Sequence, residues 1–247
     1  SSDLPALLPH TRKVAYLAGG ETVTATRTGA QYPRLDGTPI QKPAPEVHYD
    51  EVSAARGEYP HFMLKEIHEQ PEAVISTMRG RISFDTSQVD LEELQLSDEE
   101  IAGIRCVVLL GMGTSMHAAM VGRAWIESLA RIPAEADNSS EFRYRDPIID
   151  ERTLVVSVCQ SGETADTLAA MEEAAAKGAR QLTLCNYEGT QTTRLAAGTI
   201  LIRAGLEIGV AASKTFVCSL TVLYLLALYL GVKRGALEKD RMAGLVK

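Results

Sequence analysis

The chain has no excess of basic residues. Its 25 Lys and Arg stand against 32 Asp and Glu, a formal net charge of −7. A general nucleic-acid binder shows a basic face, so no nucleic-acid partner is expected, although a locally positive site for a small anion stays open. Cysteine is sparse and badly spaced for metal or redox chemistry. Cys106, Cys159, Cys185 and Cys218 include no CxxC pair, which argues against a zinc site and for free thiols in a reducing cytoplasm. No Cys/His/Asp cluster stands at ligand spacing, so no metal is expected. The opening "SSDLPALLPH" lacks the charged n-region and apolar core of a secretory leader. Only one long apolar run occurs, Phe216 to Val232, "FVCSLTVLYLLALYLGV". It falls short of the roughly 20 residues a membrane span needs and carries Ser219 and Thr221, so it reads as a buried core helix and no membrane contact is expected. Two nucleotide signatures are missing as well. Gly111-Met-Gly113 is followed by Met116 where a dinucleotide fingerprint needs its third glycine, and no Gly-Lys-Ser/Thr P-loop is present. No cofactor is expected.

What is there divides near residue 45. Residues 1–45 hold short strand-like stretches, "KVAYLAGGETVTATRTG", broken at Gly19-Gly20 and Gly29, then "RLDGTPIQKPAPEV" as a turn running into an extended linker. Hairpins this small make no stable domain by themselves. From Pro60 the pattern is helical, with Phe62, Leu64, Ile67, Val74, Ile75 and Met78 as an apolar stripe interrupted by Pro71. Ser97-Asp-Glu-Glu100 is a capping box ahead of "IRCVVLLGMG", a run apolar enough for a strand buried on both faces. The helical "TSMHAAMVGRAWIESLA" follows. Strands are expected in "IPAEADNSSEF", "TLVVSV", "RQLTLCN" and "GTILIRAG", with a helix to Lys177 closed by Gly178. The alternation calls for an α/β fold, an open, mainly parallel sheet flanked by helices, with a short N-terminal hairpin and linker segment.

Two strand-to-helix junctions carry the chemistry, "GMGTSMHA" (111–118) and "CQSGETADT" (159–167). Each sets small hydroxyl side chains at a helix start just past a buried strand. Free N–H groups and the partial positive charge of a helix N-terminus make such a turn a cradle for a phosphate or carboxylate without any lysine. Ser, Thr and Asp are also good N-caps, but two such turns at strand ends of one sheet favour a ligand, which open α/β sheets bind outside the carboxyl ends of their strands. A third stretch, "GLEIGVAASKTF" (205–216), offers small residues for close backbone approach. Its Lys214 is either a catalytic candidate or a lysine steering anions or pairing with Glu207. His117, one turn into a helix, suits packing or support better than acid–base catalysis, and His61 suits a helix start.

The segments "GEYPHFMLKEIHEQP", "GTSMHAA", "QSGETADTLAA" and "EIGVAASKTF" resemble, in order, the isomerase part of the glutamine–fructose-6-phosphate aminotransferases, the glucosamine-6-phosphate synthases. The similarity covers nearly all of residues 57 to 232. It implies a sugar isomerase (SIS) domain, a flavodoxin-like three-layer fold. Residues 1–45 look like the end of a glutaminase-like domain and its linker, and 46–247 like a first SIS domain with its N-terminal helix. The resemblance implies that Thr114, Ser115, Gln160, Ser161 and Thr164 bind a hexose 6-phosphate (fructose 6-phosphate or glucosamine 6-phosphate), with Cys159 and the backbone near Val210 contacting the sugar. Cys159 departs from the family's usual serine, and a thiol is a poorer hydrogen-bond partner. It is also the thiol expected to react first and to be protected by ligand.

The family's ring-opening and isomerisation groups belong to a second SIS domain, and its glutaminase nucleophile is a cysteine. Neither is in this chain, so the expectation is sugar-phosphate binding without turnover, in a homodimer contacting through residues 61–79 or the long apolar helix. The alternative is a non-catalytic sugar-phosphate-binding regulatory SIS protein.

Overall fold

The computed structural model describes residues 10–46 and 56–246, in two units that divide between Ala55 and Arg56. The expectation for "SSDLPALLP" lies outside the described residues.

In the first unit, β1 (Thr24–Thr26), β2 (Gly29–Pro33) and β3 (Pro39–Ile40) form an antiparallel sheet in that order. The Asp36-Gly37 turn expected from sequence joins β2 to β3, with Asp36 Oδ1 accepting from the Thr38 N–H at 2.9 Å. β1 and most of β2 are exposed, and Val14 is the buried apolar side chain among the described residues of this unit.

The second unit opens with a helix pair, α1 (Phe62–His68) and α2 (Gln70–Met78), with Pro71 in the first turn of α2, where its missing N–H has no helical partner to lose. The expected apolar stripe is not the buried face. Leu64, Ile67 and Ile75 are exposed, while Glu66, Ala73 and Thr77 are buried. Small residues let the pair approach its neighbours closely, and Thr77 Oγ1 sits 2.6 Å from the Ile202 carbonyl oxygen. A two-stranded ribbon, β4 (Ile82–Ser83) and β5 (Gln88–Val89), follows. Then comes α3 (Asp98–Gly103), whose capping box is as the sequence predicts. Ser97 Oγ accepts from the Glu100 N–H at 3.2 Å, and Glu100 Oε2 from the Ser97 N–H at 2.7 Å.

Five parallel strands form the central sheet: β6 (Cys106–Gly111), β7 (Ala134–Asn138), β8 (Thr153–Val158), β9 (Arg180–Cys185) and β10 (Gly198–Leu201). Their spatial order is β10-β9-β8-β6-β7. Between them run α4 (Thr114–Trp125, continued by a π-helical turn Ile126–Ala130), the short α5 (Ser139–Phe142), α6 (Ala165–Ala176) and α7 (Gln191–Leu195). The long α8 (Lys214–Lys233) and α9 (Lys239–Val246) close the unit.

Alternation along the strands builds a core on each face. Val107, Leu109, Leu154, Val156 and Val158 point to one side, with Ala118, Ala119 and the apolar residues of α8. Val108, Leu110 and Val155 point to the other, with Phe142, Ala170 and Ala174. This is the three-layer arrangement expected, and it explains why the strands read as continuous apolar runs. By length and composition, α8 could cross a membrane. Here its Cys218, Val222, Leu223, Leu226 and Leu230 are fully buried, as the core-helix reading requires.

Candidate functional site

β6 is the first strand of the sheet and lies inside it. The chain leaves it through α4 to β7 on one side, then returns to β8 on the other. That reversal opens a crevice at the carboxyl ends of β6 and β8, where doubly wound sheets take their ligands. Both sequence-predicted turns emerge there. Thr114 and Ser115 open α4, and Gln160, Ser161 and Thr164 lead into α6.

The two helix starts share a feature. Gly113, at the N-cap of α4, has φ +54° and no side chain to cap with, and Thr164 at the N-cap of α6 makes no side-chain capping bond. The Ser115 N–H donates to the Met112 carbonyl at 3.0 Å, and neither helix start has a side-chain cap for its other first-turn amides. Thr114 is exposed, and Ser115, Gln160, Ser161 and Thr164 are half-buried. Ser161 Oγ accepts from the Glu163 N–H at 3.2 Å, which leaves its hydroxyl proton free to donate. The acids of this turn are already occupied. Glu163 accepts from Gln191 N–H and Nε2 at 3.0 and 2.6 Å. Asp166 pairs with Arg143 at 3.3 Å. An anion placed at the crevice would meet hydroxyls and helix N-termini, with both carboxylates engaged elsewhere.

Cys159 does not point there. Its thiol is buried under the turn, 3.3 Å from the Leu184 carbonyl oxygen, 3.7 Å from Thr183 Oγ1 and 3.8 Å from Thr192 Oγ1. Burial raises its pKa, outweighing the help of the two threonine hydroxyls. The expectation of a reactive thiol facing the sugar is corrected: alternation along β8 turns this side chain toward β9 and α7, so only the Cys159 backbone borders the turn. Cys106 is the half-exposed cysteine, while Cys185 and Cys218 are buried.

Asn186, just past β9, escaped sequence reasoning. Its N–H donates to the Gln160 carbonyl at 3.0 Å. Its side-chain amide accepts from the Ala204 N–H at 2.9 Å and donates to the Gly205 carbonyl at 2.6 Å. One residue thus ties the Cys159–Thr164 turn to the Gly205–Ser213 loop. The only signal in the sequence was an asparagine at the carboxyl end of a strand, a place where many side chains would fit.

That loop carries Val210, whose side chain is fully exposed. Lys214, at the start of α8, is buried, and its ammonium pairs with Glu69 at 2.7 Å. The pairing with Glu207 considered from sequence does not form. Glu207 instead accepts from the N–H groups of Ser213 (2.8 Å) and Thr215 (3.3 Å) and from both hydroxyls, capping α8. Burial acts to raise the Glu69 pKa, but Lys214 and Lys65 outweigh it and hold the carboxyl below its ordinary range. His117 is exposed on the first turn of α4, and His61 takes the N-cap position of α1 without a side-chain capping bond. Among the described residues, no group of three or more His, Cys, Asp or Glu could hold a metal ion.

Residues 100–229 match the SIS domain family. The whole chain aligns at 44% identity over 246 residues with a glutamine–fructose-6-phosphate aminotransferase (isomerizing) of Symbiobacterium thermophilum, and at 42% over 247 residues with one of Thermus thermophilus. It spans 40% of the length of each. A solved structure, the C-terminal domain of glucosamine-fructose-6-phosphate aminotransferase from Francisella tularensis, superposes with a TM-score of 0.73 at 31% identity, covering 78% of this chain and 54% of that one. The paired turns at the switch point, the five-stranded parallel sheet and these matches agree: the chain belongs to the SIS domain family.

Proposed function

We propose that this chain is the phosphosugar-binding part, the first SIS domain, of an enzyme that converts fructose 6-phosphate and glutamine to glucosamine 6-phosphate and glutamate. The observation that carries this reading is the pair of hydroxyl-bearing, uncapped helix starts flanking the switch point between β6 and β8. A phosphate dianion there would accept from backbone N–H groups of α4 and α6 and from the hydroxyls of Thr114, Ser115, Ser161 and Thr164. Gln160 and the backbone at Cys159 and Val210 would meet the sugar. The alignment of the entire chain with aminotransferases supports this reading over a free-standing regulatory SIS protein.

Residues 1–45 would then be the end of a glutaminase-like domain and its linker. The four free cysteines, three of them buried, favour a cytoplasmic setting, and the exposed Met63, Leu64, Ile67 and Ile75 of α1 and α2 favour a homodimer contact there. On this reading the chain by itself binds and does not turn over, its Lys214 being buried in a pair with Glu69.

Titration calorimetry with glucosamine 6-phosphate tests the site. Ser115→Ala and Ser161→Ala should each weaken binding about tenfold or more, as expected for losing a hydrogen bond to a charged group. Unchanged affinity in the double variant would remove the assignment. Product formation from fructose 6-phosphate and glutamine or ammonia should stay at background, and clear turnover would mean that the chemistry lies in this chain, with Lys214 and His117 the first suspects.

A further inference from the structure

Among the residues assigned to the ligand, Val210 alone stands on neither a strand end nor a helix start. Something other than regular structure must hold its loop. The structure supplies two buried carboxylates on the inner side of Gly205–Ser213. Glu207 caps α8 and fixes the far end of the loop. Glu66, on α1, fixes the middle. It is 2% exposed, and its Oε1 accepts from the Ile208 N–H at 2.5 Å and the Gly209 N–H at 3.0 Å, with Oε2 3.1 Å from the same Gly209 N–H. The approach is close: a Cβ at Gly209 would lie 2.5 Å from Glu66 Oε2, so a side chain there would displace the carboxylate from its two N–H partners.

A carboxylate withdrawn from water is costly unless its partners are well aimed. A hydrophobic contact between α1 and the loop would hold them together as well, but without direction. Two successive N–H groups converging on one carboxylate specify the peptide planes of Ile208 and Gly209, and so fix which way the next residue, Val210, faces. The near end of the same loop is tied through Asn186 to the Gln160 carbonyl in the phosphate-side turn. Loop and turn are thereby held in one arrangement, from α1 on one side and β9 on the other.

We infer that Glu66 is a positioning residue for sugar recognition: it clamps the Gly205–Ser213 loop so that the backbone at Val210 meets the sugar, while the two helix starts hold the phosphate. The inference rests on the reading of the site given above. It separates two parts of the ligand. Loosening the clamp should affect contacts to the sugar and leave phosphate anchoring intact.

The test is calorimetry on the full chain with two ligands, inorganic phosphate and glucosamine 6-phosphate, for the wild type, Glu66→Ala, Glu66→Gln and Gly209→Ala. Glu66→Ala and Gly209→Ala should weaken glucosamine 6-phosphate about tenfold or more, with inorganic phosphate within about twofold of wild type. Glu66→Gln should fall between, because its amide oxygen can still accept from both N–H groups while its NH2 faces Gly209. Hydrogen exchange should show the Ile208 and Gly209 amides protected in the wild type and fast in Glu66→Ala, with α4 and α6 unchanged. Equal loss for both ligands, or an unchanged ratio in folded variants, overturns the clamp. If Glu66→Ala does not fold, Glu66→Gln and Gly209→Ala decide. A wild type that binds neither ligand overturns the site reading itself, and this inference with it.

Discussion

Gly162, in the turn between Ser161 and Glu163, can be set against Gly178, which closes α6. Both adopt left-handed backbone, with φ of +68° and +81°. An alanine at either place bears the left-handed penalty, about 1–2 kcal/mol. Their surroundings differ. A Cβ at Gly178 would meet nothing within 4 Å, whereas one at Gly162 would lie 2.2 Å from Thr190 Oγ1, 2.6 Å from Thr190 Cβ and 2.9 Å from Thr192 Oγ1. Those threonines cannot swing aside, because both are buried and their hydroxyls face each other at 3.3 Å over the Cys159 thiol. Crowding of this kind adds about 1–3 kcal/mol. Gly178→Ala should therefore lower stability by about 1–2 kcal/mol and Gly162→Ala by about 2–5 kcal/mol, read as the shift in urea midpoint at constant m. Glucosamine 6-phosphate affinity should fall in Gly162→Ala and hold in Gly178→Ala. Equal destabilisation by the two substitutions would refute the argument that the turn is packed against α7.

Other expectations follow from the same contacts. Under native conditions a thiol reagent should label Cys106 first and Cys159, Cys185 and Cys218 slowly, since burial raises all four pKa values, that of Cys185 to about 12, and only Cys106 is half-exposed. Peptide mapping would show it, and early labelling of Cys159 would contradict the structure. Glu69→Gln should cost between about 1 and 3 kcal/mol at pH 7, because it leaves the buried Lys214 without its partner. With the folded pKa of Glu69 below its ordinary 4.5, this contribution is complete above that pH and fades as the pH falls through the lower folded value. The two proteins' urea midpoints should thus converge in acid. Ser97→Ala should cost about 1 kcal/mol through loss of the capping box, measured by the same denaturation.

The elements were legible where periodicity and punctuation agree. Val107 to Leu110 and Leu154 to Val158 are apolar because both faces of the strand are covered, and Ser97 and Gly178 mark helix ends for local reasons that need no tertiary knowledge. The helix starts at Thr114 and Thr164 were legible for the same reason. Side-chain direction was not. Cys159 follows β8 without a break in pattern, and only strand register against β9 shows its thiol going under the turn. The stripe at 62–78 misled because it weighs residues by hydropathy, while a close helix contact selects the small Ala73 and Thr77 and leaves Ile67 and Ile75 outside. Glu66 and Lys214 are charged residues that sequence patterning sends to the surface. Their partners lie about 140 positions away along the chain, a distance no local pattern spans.

The distribution of buried polar groups bears on why the crevice is where it is. Ser139, Ser157, Thr167, Thr183, Thr190 and Thr192 are buried around the carboxyl halves of β7, β8 and β9 and the helices that follow them, and Glu66, Glu207, Ser213, Lys214 and Thr215 surround the loop ahead of α8. The sheet beneath is filled by Val107, Leu109, Leu154, Val156 and Leu182. Each buried polar group needs a partner to offset its desolvation, so a chain selected for stability alone would use apolar side chains there too. Thr153 and Gln181 are buried at the amino ends of β8 and β9, but the larger group at the carboxyl end trades some stability for directional bonds that fix loop conformation. The loops so fixed are those carrying Ser161, Thr164 and Val210. An anion is recognised by a set of N–H and O–H donors only if those donors are already aimed, since donors ordered at the moment of binding would subtract that ordering from the affinity. On the function proposed above, the buried threonines, Asn186 and the two carboxylates would be the supports that do the aiming.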